Sequence, residues 1–160
     1  LYRDEILLPN GKKGVREVIR HPGAVCVLPI KEDGNVIFVN QFRYAFNKVT
    51  LEAPAGKLDK GELPLDAAKR ELREETGLSA NNIIYLGEMY TTPALIDEII
   101  HLYLATDLVS GEQDLDEDEF INVIEMPLSE AEEMVMKGLI KDSKTQTLIL
   151  KASRYLNSRK

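Results

Sequence analysis

The stretch "GKLDKGELPLDAAKRELREETGL", residues 56–78, decides the fold of this chain. Pro64 in a first turn and Gly77 at the stop predict a helix over residues 63–76. On a 3.6-residue period, the helix has an apolar stripe that would face the core: Leu65, Ala68 and Leu72.

Three glutamates crowd this short helix. Glu71 and Glu75 are four residues apart, and such like-charged pairs destabilise an isolated helix by roughly 0.2–0.5 kcal/mol. Arg70 lies four residues before Glu74 and can pair with it. At the same four-residue spacing, Glu71 and Glu75 have only each other, Ala67 and Ser79, so no basic residue is available there. A solvated acidic face is one interpretation. The other is a Mg²⁺ site, because Mg²⁺ prefers oxygen ligands and accepts carboxylates together with substrate phosphates. The glycine-flanked loop 56–61 favours the cation, since glycine permits a main-chain carbonyl to come close.

Composition predicts one ordinary globular domain. The chain has 160 residues, 44% hydrophobic and 29% charged, which is typical of α/β or α+β proteins. A chain of this length buries roughly two-thirds of its unfolded surface, so it needs no disulfides. The net charge of −7 argues against nucleic acid as a partner, because phosphate-backbone binding needs a basic face.

Localisation is expected to be cytoplasmic. The single Cys26 lies in an apolar run and is predicted to be a buried thiol in a reducing compartment. No apolar stretch approaches the ~20 residues of a membrane span, and no signal peptide opens the sequence. The sequence does not begin with Met, so we expect residues before Leu1.

Strands and helices interleave along the chain. Tight-turn signals and β-branched runs predict strands at 2–8, 14–20, 23–31, 34–43, 82–91, 97–108 and 119–126. A Ser129-to-Glu132 capping box predicts a second helix that ends near Gly138. A third helix opens at Ser143 and has its own apolar stripe: Leu148, Ile149, Ala152, Tyr155 and Leu156. The predicted architecture is a mostly β centre with helices on its faces.

The spacing within residues 56–78 resembles the Nudix box at every fixed position: Gly56, Glu62, Arg70-Glu71-Leu72, Glu74-Glu75 and Gly77-Leu78. The chain therefore looks like a Nudix hydrolase, a family that cleaves nucleoside diphosphates linked to another moiety. The resemblance implies an α/β fold, the Nudix α/β/α sandwich with a mixed central sheet. It also implies a small N-terminal β unit over 1–22, with dimer-forming strands, and a Nudix domain over 23–160.

The resemblance also implies a metal centre. Glu71, Glu75 and the carbonyl of Ala55 match the family's metal ligands, Glu74 matches its catalytic acidic partner, and Arg70 matches the arginine that holds the acidic side chains. The implied cofactor is Mg²⁺, with Mn²⁺ as a replacement.

A second set of residues is similar to the ADP-ribose pyrophosphatase subfamily. Pro93 stands sixteen residues after Gly77, and Glu98 matches the glutamate that follows in that subfamily. The Gln-Phe-Arg strand end nominates Arg43 as a phosphate ligand. Arg16, in the expected dimer strand, would lean towards substrate in the neighbouring subunit.

The acidic run 114–120 has three interpretations. The first is a solvated loop. The second is an EF-hand, whose ligand positions would fall on Asp114, Asp116, Asp118 and Glu125. It is disfavoured because Glu119 occupies the position of the essential glycine and a strand follows. The third is the family's mobile catalytic loop, with Glu117 as general base and Glu119 as a further metal ligand. A shift of one position within 116–119 stays open.

The remaining polar and aromatic residues indicate less. His21 and His101 are expected to be packed or hydrogen-bonded. The segment 141–144 is interpreted as a helix start and not as a phosphate loop. Three aromatic residues are expected to pack in the core or an interface, with adenine stacking as the alternative: Tyr2, Tyr44 and Phe46.

The predicted function is Mg²⁺-dependent hydrolysis of the pyrophosphate bond of ADP-ribose to AMP and ribose 5-phosphate by a cytoplasmic homodimer. Ala94 and Ile96 depart from the subfamily's Gly and small polar residue, so another nucleoside diphosphate sugar such as GDP-mannose is the first alternative. The second alternative is a nucleotide-sensing Nudix module, against which the intact box argues.

Overall fold

A computed structural model describes residues 1–115 and 121–159. The strands are β1 Tyr2–Leu7, β2 Lys13–Val18, β3 Ala24–Pro29, β4 Asn35–Arg43, β5 Lys48–Glu52, β6 Ala55–Lys57, β7 Leu78–Tyr90, β8 Ile99–Ser110 and β9 Asn122–Pro127. The helices are α1 Pro64–Thr76, α2 Leu128–Met136 and α3 Ser143–Asn157. A strand or helix is present for each predicted one, although residues 119 and 120 of the predicted strand 119–126 lie outside the described residues. Strands β5 and β6 were not predicted.

The N-terminal strands β1 and β2 form their own antiparallel two-stranded sheet. The chain after β2 is tied to the main body through Ile19, whose amide donates to the Leu95 carbonyl at 2.8 Å and whose carbonyl accepts from Asp97 at 3.2 Å. Arg20 bridges Asp4 and Asp97 at 3.2 and 3.1 Å. The hairpin therefore contacts the segment that carries Pro93 to Glu98.

Two further sheets make up the centre of the molecule. One is mixed, in the order β6-β3-β8-β7, with β3 and β8 parallel; the other is antiparallel, in the order β5-β4-β9. The predicted turn at Asp33-Gly34 is present, and the Asn35 amide donates to the Asp33 carboxylate at 3.0 Å. The strands on either side of this turn enter different sheets and share only the bridge between Ile30 and Val36.

Helices cover both faces of the mixed sheet. Cys26 and Leu28 of β3 pack in one cluster with residues of α2 and α3, whereas Val25 and Val27 pack in another with α1. A strand buried on both faces has a continuous apolar sequence, which explains the uninterrupted run around Cys26. The predicted α/β/α sandwich is confirmed, and Cys26 is a buried free thiol.

Details of two helices differ from the prediction. Leu65 is 41% exposed, while Ala67 is fully buried in the inner face of α1. The capping box at Ser129 is wrong: α2 begins at Leu128 after Pro127, and no side chain of the described residues caps it. The fixed φ of Pro127 suits the entry to a helix, so the helix starts before the serine. At α3, the Asp142 side chain accepts from the Thr145 amide at 2.9 Å.

The core packing expected for the three aromatic residues is also wrong within one chain. Tyr2, Tyr44 and Phe46 are 57%, 91% and 74% exposed. Packing in an interface between subunits stays a prediction for them.

No helix in residues 1–115 and 121–159 combines the length and apolar character needed to cross a bilayer.

Candidate active site

A cavity of about 550 Å³ opens where β6, α1 and the first turn of α3 meet. It is lined by five of the residues that the sequence nominates: Arg43, Ala55, Glu71, Glu74 and Glu98. The fold therefore collects charged side chains from elements far apart in sequence at one opening.

The carboxylates of α1 lie against the backbone of β6. A Cβ atom added to Gly56 would collide with the Glu71 carboxylate, so only a glycine lets this side chain approach so closely. The Ala55 amide donates to Glu75 Oε2 at 3.0 Å, and Glu75 is 2% exposed. Ala55 thus holds Glu75 by a hydrogen bond, and Gly56 leaves the room that Glu71 needs.

Arg70 draws the acidic side chains together. Its guanidinium donates to Glu62 Oε1 and Oε2 at 2.9 Å each, to Glu71 at 2.7 Å and to Glu74 at 2.9 Å. The hydrogen bonds from Arg70 lower the pKa of Glu62 to about 2. The helical spacing offers Glu71 no basic residue, but Arg70 reaches it from the adjacent position in the sequence.

The donor set fits a hard divalent cation. The carboxylates of Glu71 and Glu75 and the backbone at Ala55 offer only oxygen as ligand atoms, which is the preference of Mg²⁺ and similar ions. Over the described ranges 1–115 and 121–159, no three His, Cys, Asp or Glu side chains are grouped so that they could hold a metal. The nominated ligands include a main-chain carbonyl and Glu119, and Glu119 lies outside the described residues.

Glu117 and Glu119 both belong to the segment 116–120, outside the described residues. The chain just before it is anchored to the end of α1. The Gly111 amide donates to the Gly77 carbonyl at 2.7 Å, and the Asp114 amide donates to the Glu74 carbonyl at 3.1 Å. The acidic run therefore starts beside the helix that carries the clustered glutamates.

The EF-hand interpretation is not supported by the described part of this loop. Glu125 lies on β9, where it pairs with Lys31 at 2.6 Å and accepts from Asn35 at 2.9 Å. Its carboxylate is thus engaged within the antiparallel sheet.

Arg43 belongs to a charged network that sequence reasoning missed. Its Nε and Nη2 donate to the two oxygens of Glu52 at 2.7 and 2.6 Å. Lys144 contacts Glu52 at 2.5 Å and Asp142 at 3.0 Å. Burial by itself raises the pKa of Glu52, but the hydrogen bonds from Arg43, Lys144 and Thr50 and the Lys144 charge bring it down to about 2. The sequence signals for this network were weak. Glu52 is one acidic residue in an apolar run, and Lys144 was interpreted as part of a helix start.

Glu98 has two polar neighbours within the cavity. The Thr91 hydroxyl donates to it at 2.8 Å, and His21 Nε2 lies 3.5 Å from its Oε1. His101 lies 3.4 Å from the Tyr85 hydroxyl. Both histidines thus have polar contacts, as expected.

Arg16 and Pro93 line a different cavity, of about 640 Å³, to which Glu98 also contributes. Arg16 is exposed, and its Nη1 donates to the neighbouring Val15 carbonyl at 2.9 Å. A single chain therefore does not bring Arg16 to the α1 glutamates.

The chain is similar to known proteins over most of its length. The family described as the NUDIX domain matches residues 20–146. Over 147 residues the chain is 44% identical to an ADP-ribose pyrophosphatase of Bacillus subtilis and 46% identical to a methanol dehydrogenase activator of Bacillus methanolicus. Each match covers 91% of this chain and 80% of the relative.

A further relative and a solved structure also match most of this chain. A GDP-mannose pyrophosphatase of Cronobacter sakazakii is 39% identical over 150 residues, which are 83% of this chain and 78% of the relative. A solved structure described as an ADP compounds hydrolase superposes with a TM-score of 0.86 at 22% identity, covering 98% of this chain and 85% of the other.

Proposed function

The chain belongs to the Nudix family of hydrolases, and from that premise we propose that it hydrolyses ADP-ribose to AMP and ribose 5-phosphate with Mg²⁺ as cofactor. The observation that carries this proposal is the single cavity that brings Arg43 together with Glu71 and Glu74. A diphosphate needs cations on the protein side, and a metal ion needs carboxylates. The relative of Bacillus subtilis, named ADP-ribose pyrophosphatase, supports the choice of substrate.

Mg²⁺, or Mn²⁺ in its place, would be held by the carboxylates of Glu71, Glu75 and Glu119 and by the carbonyl of Ala55. When bound, the ion neutralises the diphosphate and lowers the pKa of a water, so that hydroxide is available near neutrality. The close approach of Glu71 to Gly56 and the contact from Ala55 to Glu75 support this ligand set.

Glu117 takes the proton from the attacking water as general base, and Glu74 is the catalytic acidic partner of the two glutamate ligands on α1. The water oxygen forms a bond to phosphorus, and the bridging P–O bond of the pyrophosphate breaks. The hydrogen bonds from Gly111 and Asp114 to the end of α1 support this role for Glu117, because they start the acidic run beside the glutamates.

Substrate contacts complete the site. Arg43 binds the diphosphate, while Pro93 and Glu98 form the substrate-binding segment after β7. Arg16 reaches the substrate of the neighbouring subunit in a homodimer whose contacts are made by the β unit of residues 1–22. The exposure of Arg16 and its place beside Pro93 and Glu98 in one cavity support this. We also place the protein in the cytoplasm, which the buried free thiol of Cys26 favours.

GDP-mannose hydrolysis is the second candidate function. The relative of Cronobacter sakazakii named GDP-mannose pyrophosphatase favours it, as do Ala94 and Ile96 in the substrate-binding segment. The relative named for activating a dehydrogenase shows that proteins similar to this chain carry names from more than one functional class, so the substrate must be measured.

The deciding experiment incubates the protein with ADP-ribose or GDP-mannose and Mg²⁺ and follows the nucleoside monophosphate by chromatography. We expect AMP, with a higher kcat/KM on ADP-ribose than on GDP-mannose. A higher kcat/KM on GDP-mannose would select the second candidate. Binding of ADP-ribose without any product would instead identify a sensing module.

A further inference from the structure

Glu52 is a charged side chain in an almost inaccessible place, with 3% of its surface exposed at the end of β5. A buried carboxylate is costly unless its oxygens are paired and hydrogen-bonded. Oε1 accepts from Arg43 Nε and from the Thr50 hydroxyl, and Oε2 accepts from Arg43 Nη2 and from Lys144. Both oxygens are therefore fully used by fixed donors.

This pairing fixes the orientation of Arg43. A guanidinium has five N–H donors in a planar fork, and Glu52 accepts two of them on the Nε–Nη2 edge. Arg43 also lines the cavity that contains Glu71 and Glu74. The N–H groups on the opposite edge are thus the ones available to a ligand, already held in one plane.

Lys144 holds the other side of Glu52. Its side chain is 12% exposed and bridges Glu52 to Asp142, the residue that caps α3. Arg43 and Lys144 balance the charges of Glu52 and Asp142. Without Lys144, this wall of the cavity would carry a net negative charge at the proposed binding place of an anionic diphosphate.

We propose that Glu52 and Lys144 are positioning residues that hold the Arg43 guanidinium ready for the diphosphate of the substrate, which rests on the function proposed above. An arginine ordered before binding loses less side-chain entropy when the ligand arrives. Glu52 at the end of β5 thereby contributes to substrate affinity from outside the cavity lining, while Lys144 in the first turn of α3 does so from the wall of the same cavity.

A double-mutant cycle tests this. Glu52→Gln should raise the KM for ADP-ribose about tenfold and change kcat less than about threefold. If Glu52 acts through Arg43, the double variant Glu52→Gln with Arg43→Ala should have the KM of Arg43→Ala alone. Additive effects on KM, or a KM that Glu52→Gln leaves unchanged, would overturn the proposal.

Lys144 supplies a second and independent arm. Lys144→Met removes the charge and should raise KM in the same way, whereas Lys144→Arg keeps the charge and should restore it. Glu125→Gln is the matched control, because Glu125 also pairs with a lysine, Lys31, and lies on the opposite edge strand of the same sheet, outside the cavity. A rise in KM for Glu125→Gln equal to that for Glu52→Gln would contradict a specific role.

Calorimetry measures the Kd of the same variants for ADP. ADP presents a diphosphate, and its binding is measured without turnover. The Kd should follow the same cycle, with Glu52→Gln weakening binding about tenfold only when Arg43 is present. This readout separates the two proposals: a wild-type protein that does not hydrolyse ADP-ribose refutes the proposed function, while the cycle in Kd still decides the role of Glu52. A wild type that binds no ADP overturns the positioning role as well.

Discussion

The three glutamates near the end of α1 have different surroundings although they are neighbours in sequence. Glu75 is almost completely buried and accepts from the Ala55 amide, and Glu71 lies against Gly56. Glu74 is more accessible, with a side chain 26% exposed, and shares Arg70 with Glu71. Residues of one type can therefore have separate roles as ligands and as an accessory acidic group.

The first prediction concerns the two proposed ligands, Glu71 and Glu75. Glu71→Gln or Glu75→Gln should lower kcat by about a thousandfold, because several kcal/mol of charge stabilisation depend on the cation. The melting temperature should change little, since glutamine keeps the volume. Asp66→Asn on the exposed face of α1 is the control for loss of one charge. Near-normal turnover of either glutamine variant would remove that residue from the mechanism.

The second prediction concerns Glu117, the proposed general base. Glu117→Gln should lower kcat by about 10²–10⁴-fold, the usual contribution of a positioned general base, and should abolish the acidic limb of the pH–rate profile. Steady-state kinetics across pH measures both. The assignment is wrong if Glu117→Gln keeps most of its kcat while Glu119→Gln or Asp118→Asn does not.

The third prediction follows from Glu52, whose pKa falls from 4.5 to about 2 in the folded protein. Because the folded value is the lower one, the ionised carboxylate stabilises the fold above about pH 5, and this stabilisation disappears as the pH falls towards 2. The difference in Tm between wild type and Glu52→Gln should therefore shrink between about pH 5 and pH 2.5. Thermal denaturation at a series of pH values measures it, and a constant difference would contradict the assigned pairing.

Among the secondary-structure elements, the contact between β6 and α1 is central to the site. β6 has only three residues, and it is a strand because it pairs with β3, with Cys26 opposite Ala55. This pairing places Gly56 under Glu71. The residue after the last turn of α1 is closely packed as well, since a Cβ on Gly77 would lie 3.0 Å from the backbone of Gly111 and Gln113. Glycines thus let α1 contact the strand before it and the segment that leads to the acidic run.

The fourth prediction tests the β6–α1 contact. Gly56→Ala should reduce kcat nearly as much as Glu71→Gln, because the new methyl group displaces the Glu71 carboxylate. Gly34→Ala is the matched control: its Cβ meets open space, but its φ of +86° is unfavourable for alanine, at a cost of about 1–2 kcal/mol. We expect Gly34→Ala to lower the Tm and keep kcat. Full activity of Gly56→Ala would show that the close contact is not needed.

At the scale of the whole molecule, the N-terminal sheet is the least self-sufficient part. A two-stranded hairpin is marginally stable by itself, and this one exposes three large apolar side chains: Tyr2, Leu7 and Val15. Its ties to the main body through Ile19 and Arg20 leave this apolar surface uncovered in one chain. A second copy of the chain would bury it, in line with the proposed homodimer.

The fifth prediction concerns this assembly. Light scattering should give twice the 18.0 kDa of one chain. Arg16→Ala and Glu71→Gln should each be inactive alone, yet their mixture after subunit exchange should regain about a quarter of wild-type activity, because one site of each mixed dimer is intact. A monomer, or a mixture that stays inactive, would show that Arg16 does not serve the neighbouring site.

Local signals explain which parts of the fold could be predicted. Pro64 and Gly77 act within one helical turn, so they set the bounds of α1 from sequence alone. The start of α2 was misplaced because Pro127 and the Ser129 capping box are competing local signals. Leu65 was wrongly assigned to the core because the rotation of α1 depends on its packing against β3 and β8.

The sequence by itself determined the family, the acidic helix and the residues nominated for the metal and the phosphate, since these are carried by short-range spacing. Only the tertiary structure decided which contacts position these residues. Glu71 packs against Gly56, which has no Cβ to collide with it, and Lys144 contacts Glu52 across 92 positions of sequence. No local pattern encodes such pairs, because a contact between distant residues exists only after the sheets and helices have packed.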